Sequence, residues 1–136
     1  MKRTISRIIA MMVLYNYEAT GALNKDDVIA MMDNSEPYDE VFCDELINGV
    51  IKNKEKIDFM ISKTLKNYSI GRLNLVDASL IRIGTYELLN TKTPQSIVIN
   101  EIVEISKEYS EISGYASSKF NNSVLDNIYR SINDGK

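Results

Sequence analysis

The segment Leu75–Asn90 constrains the fold more than any other part of this chain. Leu75, Val76, Ala78, Leu80, Ile81, Ile83, Tyr86, Leu88 and Leu89 recur so densely that a helix through them has almost no polar side. A helix apolar all round must be enclosed by other elements, not laid on a surface. Each fully buried Leu or Ile there is worth about 1.5–3 kcal/mol. Its few polar residues, Asp77, Arg82 and Glu87, must then be paired or sit where the helix emerges. The rest of the chain offers helices to enclose it. Two prolines and six glycines in 136 residues, with little strand-like alternation, leave helical spacing dominant. The expectation is an all-α, compact single domain over residues 1–136.

The first helix is expected from Thr4 to Ala19, with Ile5, Ile8, Ile9, Met12, Asn16 and Ala19 on one face and Gly21 ending it. A second runs from Lys25 to Asp33, capped by Asn24, before Asn34-Ser35-Glu36-Pro37 breaks the pattern. From Tyr38 to Asn67 the apolar residues keep helical spacing and change direction around Asn53, and Ser69–Arg72 reads as a turn. Thr93 and Pro94 open the next helix as cap and first turn, with Ile99, Ile102, Val103 and Ser106 inside. After a polar loop from Ser110, the residues Phe120, Val124, Leu125, Ile128 and Ile132 line a closing helix.

Net charge is −3, so no overall basic field exists, but the charge is unevenly spread. Lys2, Arg3 and Arg7 face only Glu18 in the first twenty residues, whereas residues 26–45 carry eight acids and no base. A polyanion would therefore approach the amino-terminal end. The cations ahead of the apolar run Ile8–Leu14 resemble a secretory signal, but the run continues as an amphipathic helix and reads as folded structure. Lys52, Lys54 and Lys56 form a second cluster, interleaved by Glu55 and Asp58 and read as a solvated face.

Enzymatic motifs are missing. The chain has no histidine, which removes the commonest general base and metal ligand near neutral pH. Cys43, its one cysteine, lacks a histidine partner, lies beside Asp44 and is in register with Phe42, Leu46 and Ile47, so it reads as core. No glycine-rich phosphate loop or nucleophile elbow occurs. Glu101 with Glu104 or Glu108 could share a helix face, but di-metal sites of that kind usually add histidines. No catalytic residue, metal or cofactor is expected.

Several blocks then carry a resemblance. Ser6–Tyr15, with its arginine, alanine and Leu-Tyr pair, is similar to the opening helix of the NusB family. Phe42, Leu46, Gly49-Val50, Asn53 and Ile57-Asp58 fit that family's middle pattern. Val76-Asp77 followed by Leu80–Leu88 resembles its most recognisable block. Pro94 with Val98–Lys107, and Lys119–Asp126, match its last two segments. The blocks stand in family order and span about residues 6–128.

The resemblance implies about seven helices in two orthogonal bundles. It also implies a cytoplasmic transcription antitermination factor that binds boxA RNA of ribosomal RNA leaders together with NusE, a ribosomal protein, in a terminator-resistant RNA polymerase complex. Candidate contacts to single-stranded RNA are Lys2, Arg3, Arg7, Tyr15, Lys119 and Phe120; Tyr15 and Phe120 read equally well as core aromatics. Asp77 and Glu87 are candidates for the protein partner or, alternatively, for internal pairing with Arg82. The family's arginine-rich arm is thinned here to Lys2, Arg3 and Arg7, the loop Glu108–Ser118 looks longer, and Asn121 and Ser123 replace smaller or apolar residues. A protein-only module, possible as a homodimer, and the NusB-like domain of RNA methyltransferases are the alternatives. The latter is set behind because no cofactor-binding glycine motif is present and the chain ends at Lys136.

Overall fold

The computed structural model describes residues 2–32, 36–65, 69–110 and 117–134. Among them are seven α-helices: α1 (Lys2–Thr20), α2 (Lys25–Met31), α3 (Glu40–Lys52), α4 (Lys54–Thr64), α5 (Leu75–Asn90), α6 (Gln95–Tyr109) and α7 (Ser117–Asp134). A single 3₁₀ turn spans Ile70–Arg72.

α5 is the strut that its composition demands. Every residue from Asp77 to Glu87 is buried, and the helix packs against α1, α3, α4, α6 and α7. Two groups meet across it: α1 with α2 and α3 on one side, and α4, α6 and α7 on the other. Leu46, Ile57, Ile61, Leu80, Ile81, Ile83, Ile102, Leu125 and Ile128 are the large apolar side chains at the centre of one shared core. No helix among the described residues is long and apolar enough to cross a membrane.

Local chemistry sets the helix ends. Gly21 takes φ 79°, a left-handed conformation that favours glycine, and its N–H reaches the Tyr17 carbonyl at 2.8 Å. Asn74 caps α5 by accepting from the Asp77 N–H at 2.8 Å, and its own amide donates to the Asp77 carboxylate at 2.9 Å. Asp39 caps α3 by accepting from the Phe42 N–H at 3.0 Å, a cap the sequence reading missed.

Some expected boundaries move. α1 extends beyond Thr4–Ala19 at both ends, and α2 stops at Met31; Asp33 to Ser35 lie outside the described residues. Asn24 stands before α2 without a side-chain capping bond. Pro94, not Thr93, occupies the cap position of α6, and its carbonyl accepts from Ile97 and Val98. The inner face of α6 is Val98, Ile102, Ile105 and Ser106, with Ile99 and Val103 half-buried, because α6 lies between α5 and α7 and not against one neighbour. Most of the polar loop expected after Ser110 lies outside the described residues.

Candidate nucleic-acid interface

The expected RNA cations separate into two kinds. Lys2 and Arg3 are exposed at the start of α1. The Arg3 guanidinium lies over the Phe42 ring, 4.2 Å from its centroid, with Asp39 at 3.8 Å. Arg7, one turn further along, is only 2% exposed. Its Nε and Nη2 each donate to the Glu87 carboxylate at 2.7 Å, and Nη1 donates to Glu101 at 3.0 Å. Thr4 also donates to Glu101, and the other side of the stack is closed by Phe42, 5.0 Å from the Arg7 guanidinium carbon. Burial alone would lower the Arg7 pKa, but Glu87 and Glu101 outweigh it and hold the pKa above its ordinary value. Against the expectation that Arg7 meets RNA, the structure turns three of its donors inward, onto two acids from α5 and α6.

Both acids proposed for the protein partner are interior as well. Glu87 has no exposed surface and is spent on Arg7. Asp77 is buried, accepts from Asn74, Ser110 and Asn121, and so joins the first turn of α5 to α6 and α7. Asn121 also donates to Ser106 at 2.8 Å, which gives the unexpected asparagine a structural use. Internal pairing with Arg82 does not occur for either acid. Each lies five residues from Arg82, about 140° around a helix at 3.6 residues per turn, on a different side. Arg82 instead pairs with Asp58 at 2.8 Å and with Glu18 at 2.9 Å.

Tyr15 and Phe120 also part ways. Tyr15 is 39% exposed and borders an open apolar groove of about 270 Å³ with Met12, Val28, Val76 and Tyr109. Phe120 is half-buried and packs against the core. Lys119 is exposed beside it, in the first turn of α7. α7 packs on α4, α5 and α6, whereas α1 packs on α2, α3 and α5, so the two helices share α5 without lying alongside each other. Glu101, which spacing groups on one helix face with Glu104 and Glu108, proves to be a ligand of Arg7; the reason is the approach of α6 to the amino end of α1, which no local spacing reveals.

A helical binding module with an exposed cationic helix end, an apolar groove and internally neutralised acids is the class this arrangement defines. The NusB family model matches residues 4–130, and the chain belongs to that family. Its curated relatives include the transcription antitermination protein NusB of Macrococcus caseolyticus, 34% identical over 96% of this chain and 98% of the relative. That of Bacillus cereus (strain B4264) is 37% identical over 94% of this chain and 97% of the relative. Among solved structures, T. maritima NusB superposes with a TM-score of 0.78 at 30% identity, covering 96% of this chain and 92% of that one. A structure of the antitermination factors NusB and NusE in complex with dsRNA gives 0.76 at 28% identity, covering 94% and 96% of the two chains.

Proposed function

We propose that the chain is a transcription antitermination adaptor that works by binding alone, gripping boxA-type RNA together with NusE in the cytoplasm. The observation that carries the RNA part is the division of labour at the start of α1. Arg7 is consumed in fixing the helix, while Lys2 and Arg3 stand exposed beside it. These two cations are the proposed phosphate contacts, with Lys119 on α7 as a third. Tyr15 is the proposed stacking residue, because its ring borders an open apolar groove able to take a splayed base. Phe120, half-buried against the core beside Lys119, is proposed as a second aromatic contact on α7. A solved relative holds both NusE and RNA; the protein partner of this chain is proposed to meet surface other than the buried Asp77 and Glu87.

Fluorescence anisotropy tests the reading. A boxA-type RNA, a scrambled RNA and a duplex of the same sequence are titrated with the protein, with and without NusE. Selective binding of the boxA RNA, strengthened by NusE, is expected. Lys2→Ala/Arg3→Ala should reduce the slope of log affinity against log salt by about 1.4, at about 0.7 per single-strand phosphate contact. Equal weak binding to all three RNAs with NusE present would sink it.

A further inference from the structure

We propose that the exposed face of α4, together with Lys52 at the end of α3, is a second contact strip for single-stranded RNA, one that takes nucleotides flanking the segment held at α1. The proposal rests on the RNA-binding reading above and adds a site to it.

Lys56, Phe59 and Lys63 recur at intervals of three and four and so share one face of α4, while Ile57 and Ile61 bury the opposite face. Phe59 is 64% exposed, the most exposed aromatic side chain among the described residues. Its ring already carries a cation, with the Lys63 ammonium 5.5 Å from its centroid. The acids nearby are mostly committed. Asp58 holds Arg82 at 2.8 Å, and Glu18 holds both Arg82 and Lys54, the latter at 2.8 Å. Lys52, Lys56 and Lys63 are exposed, with Glu55 the exposed acid between them in sequence. An open depression of about 390 Å³ between Lys52 and Lys56, walled by Asn53, Lys54 and the single acid Glu55, is large enough for a phosphate.

Only one class of partner uses all of these features. A second copy of the chain would cover Phe59 but set the same lysines against each other across a two-fold axis. An acidic protein surface would satisfy the lysines and gain little from an exposed phenyl ring. Single-stranded RNA uses both, with cations on phosphate and a base stacked on the ring. Position agrees as well. Lys54 joins the strip to Glu18 in the last turns of α1, while Lys2 and Arg3 sit at the other end of that helix, about 23 Å away at 1.5 Å per residue. The strip is therefore separate from the cationic end of α1.

The test compares a boxA-type RNA with the same RNA carrying a ten-uridine extension at either end, using the full chain. The extended RNA should bind more tightly in at least one polarity. Phe59→Ala should remove about five-fold of that gain, and Lys56→Gln/Lys63→Gln should lower its salt slope by about 1.4, with the core RNA unchanged by either variant. Unchanged affinity of both variants for the extended RNA, with selective core binding intact, overturns the strip and leaves the antitermination reading standing. Failure of the core RNA itself overturns that reading instead. The strip is then decided by photo-crosslinking of 4-thiouridine oligouridylate: a crosslink within α4 that Phe59→Ala removes supports it, and none overturns it. Binding of polyglutamate as tight as RNA, weakened by the lysine variant but not by Phe59→Ala, assigns the face to an acidic protein and also overturns it.

Discussion

Removing Arg7 should destabilise the fold and not remove a direct grip on RNA. Arg7→Ala leaves the Glu87 carboxylate without its bidentate partner in a site with no exposed surface. Breaking a buried ion pair by deleting one partner costs about 3–5 kcal/mol, a large part of the roughly 5–15 kcal/mol that holds a domain folded. At about 3–5 °C per kcal/mol for a chain of this size, the melting temperature should fall by roughly 10–20 °C. Replacing both partners, as Arg7→Met/Glu87→Leu, removes the uncompensated charge and should recover most of that loss. Glu101 is then left with Thr4 and with solvent, since it is partly exposed. Urea unfolding followed by helical circular dichroism measures the stability. The salt dependence of RNA affinity measures the contacts, and in the folded double variant the slope should match that of the natural chain. A loss below 1 kcal/mol for Arg7→Ala, together with a slope reduced by about 0.7, would refute the reasoning and put Arg7 on a phosphate.

Three further outcomes follow from single sites. A side chain at Gly49 would overlap the Tyr86 ring, whose hydroxyl donates to Glu45 at 3.1 Å, so Gly49→Ala should cost about 1–3 kcal/mol in urea unfolding; a neutral result would mean that Tyr86 swings away freely. Burial, reinforced by Asp44, pushes the Cys43 thiol up to about 11, so iodoacetamide at pH 8 should label it only as fast as the chain unfolds; rapid labelling of the native protein would contradict its enclosure. Burial raises the Glu18 pKa, but Lys54 and Arg82 outweigh it and hold the carboxyl below its ordinary 4.5. Its stabilising contribution is thus present above about pH 4.5 and is lost as pH falls through the folded value. Glu18→Gln should accordingly lose less stability between pH 7 and pH 3 than the natural chain, and parallel losses would exclude the pairing.

What could be read in advance follows the range of the forces involved. Enclosure of α5 was legible because it depends on composition within sixteen consecutive residues. Cys43 was legible as core because its neighbours at helical spacing are apolar, and it is fully buried. The fate of Arg7 was not, since its partner lies 80 positions away and an arginine near two other cations looks like part of a basic arm. A signal did exist. Glu87 sits on an all-apolar helix with Ile83, Gly84, Asn90 and Thr91 three and four residues away, so no local cation can reach it. An acid in that position requires a distant base, and Arg7 is the cation of the amino-terminal cluster that adjoins the apolar run Ile8–Leu14.

The same logic explains why α5 carries charges at all. A helix apolar on every side can rotate about its axis with little change in the apolar area it buries, so hydrophobicity alone specifies its register weakly. Its three charged residues remove that freedom. Asp77 reaches Ser110 and Asn121 on the side of α6 and α7, Arg82 reaches Asp58 and Glu18 on α4 and α1, and Glu87 reaches Arg7 on α1. Rotation by a single residue, about 100°, would leave all three buried and unpaired at once. These pairs thus fix how the two helical groups meet across α5. The Arg7→Met/Glu87→Leu variant isolates this role from stability: it should stay folded while its NMR resonances along α1 and α5 broaden. Sharp, well-dispersed resonances in that variant would show that packing alone sets the register.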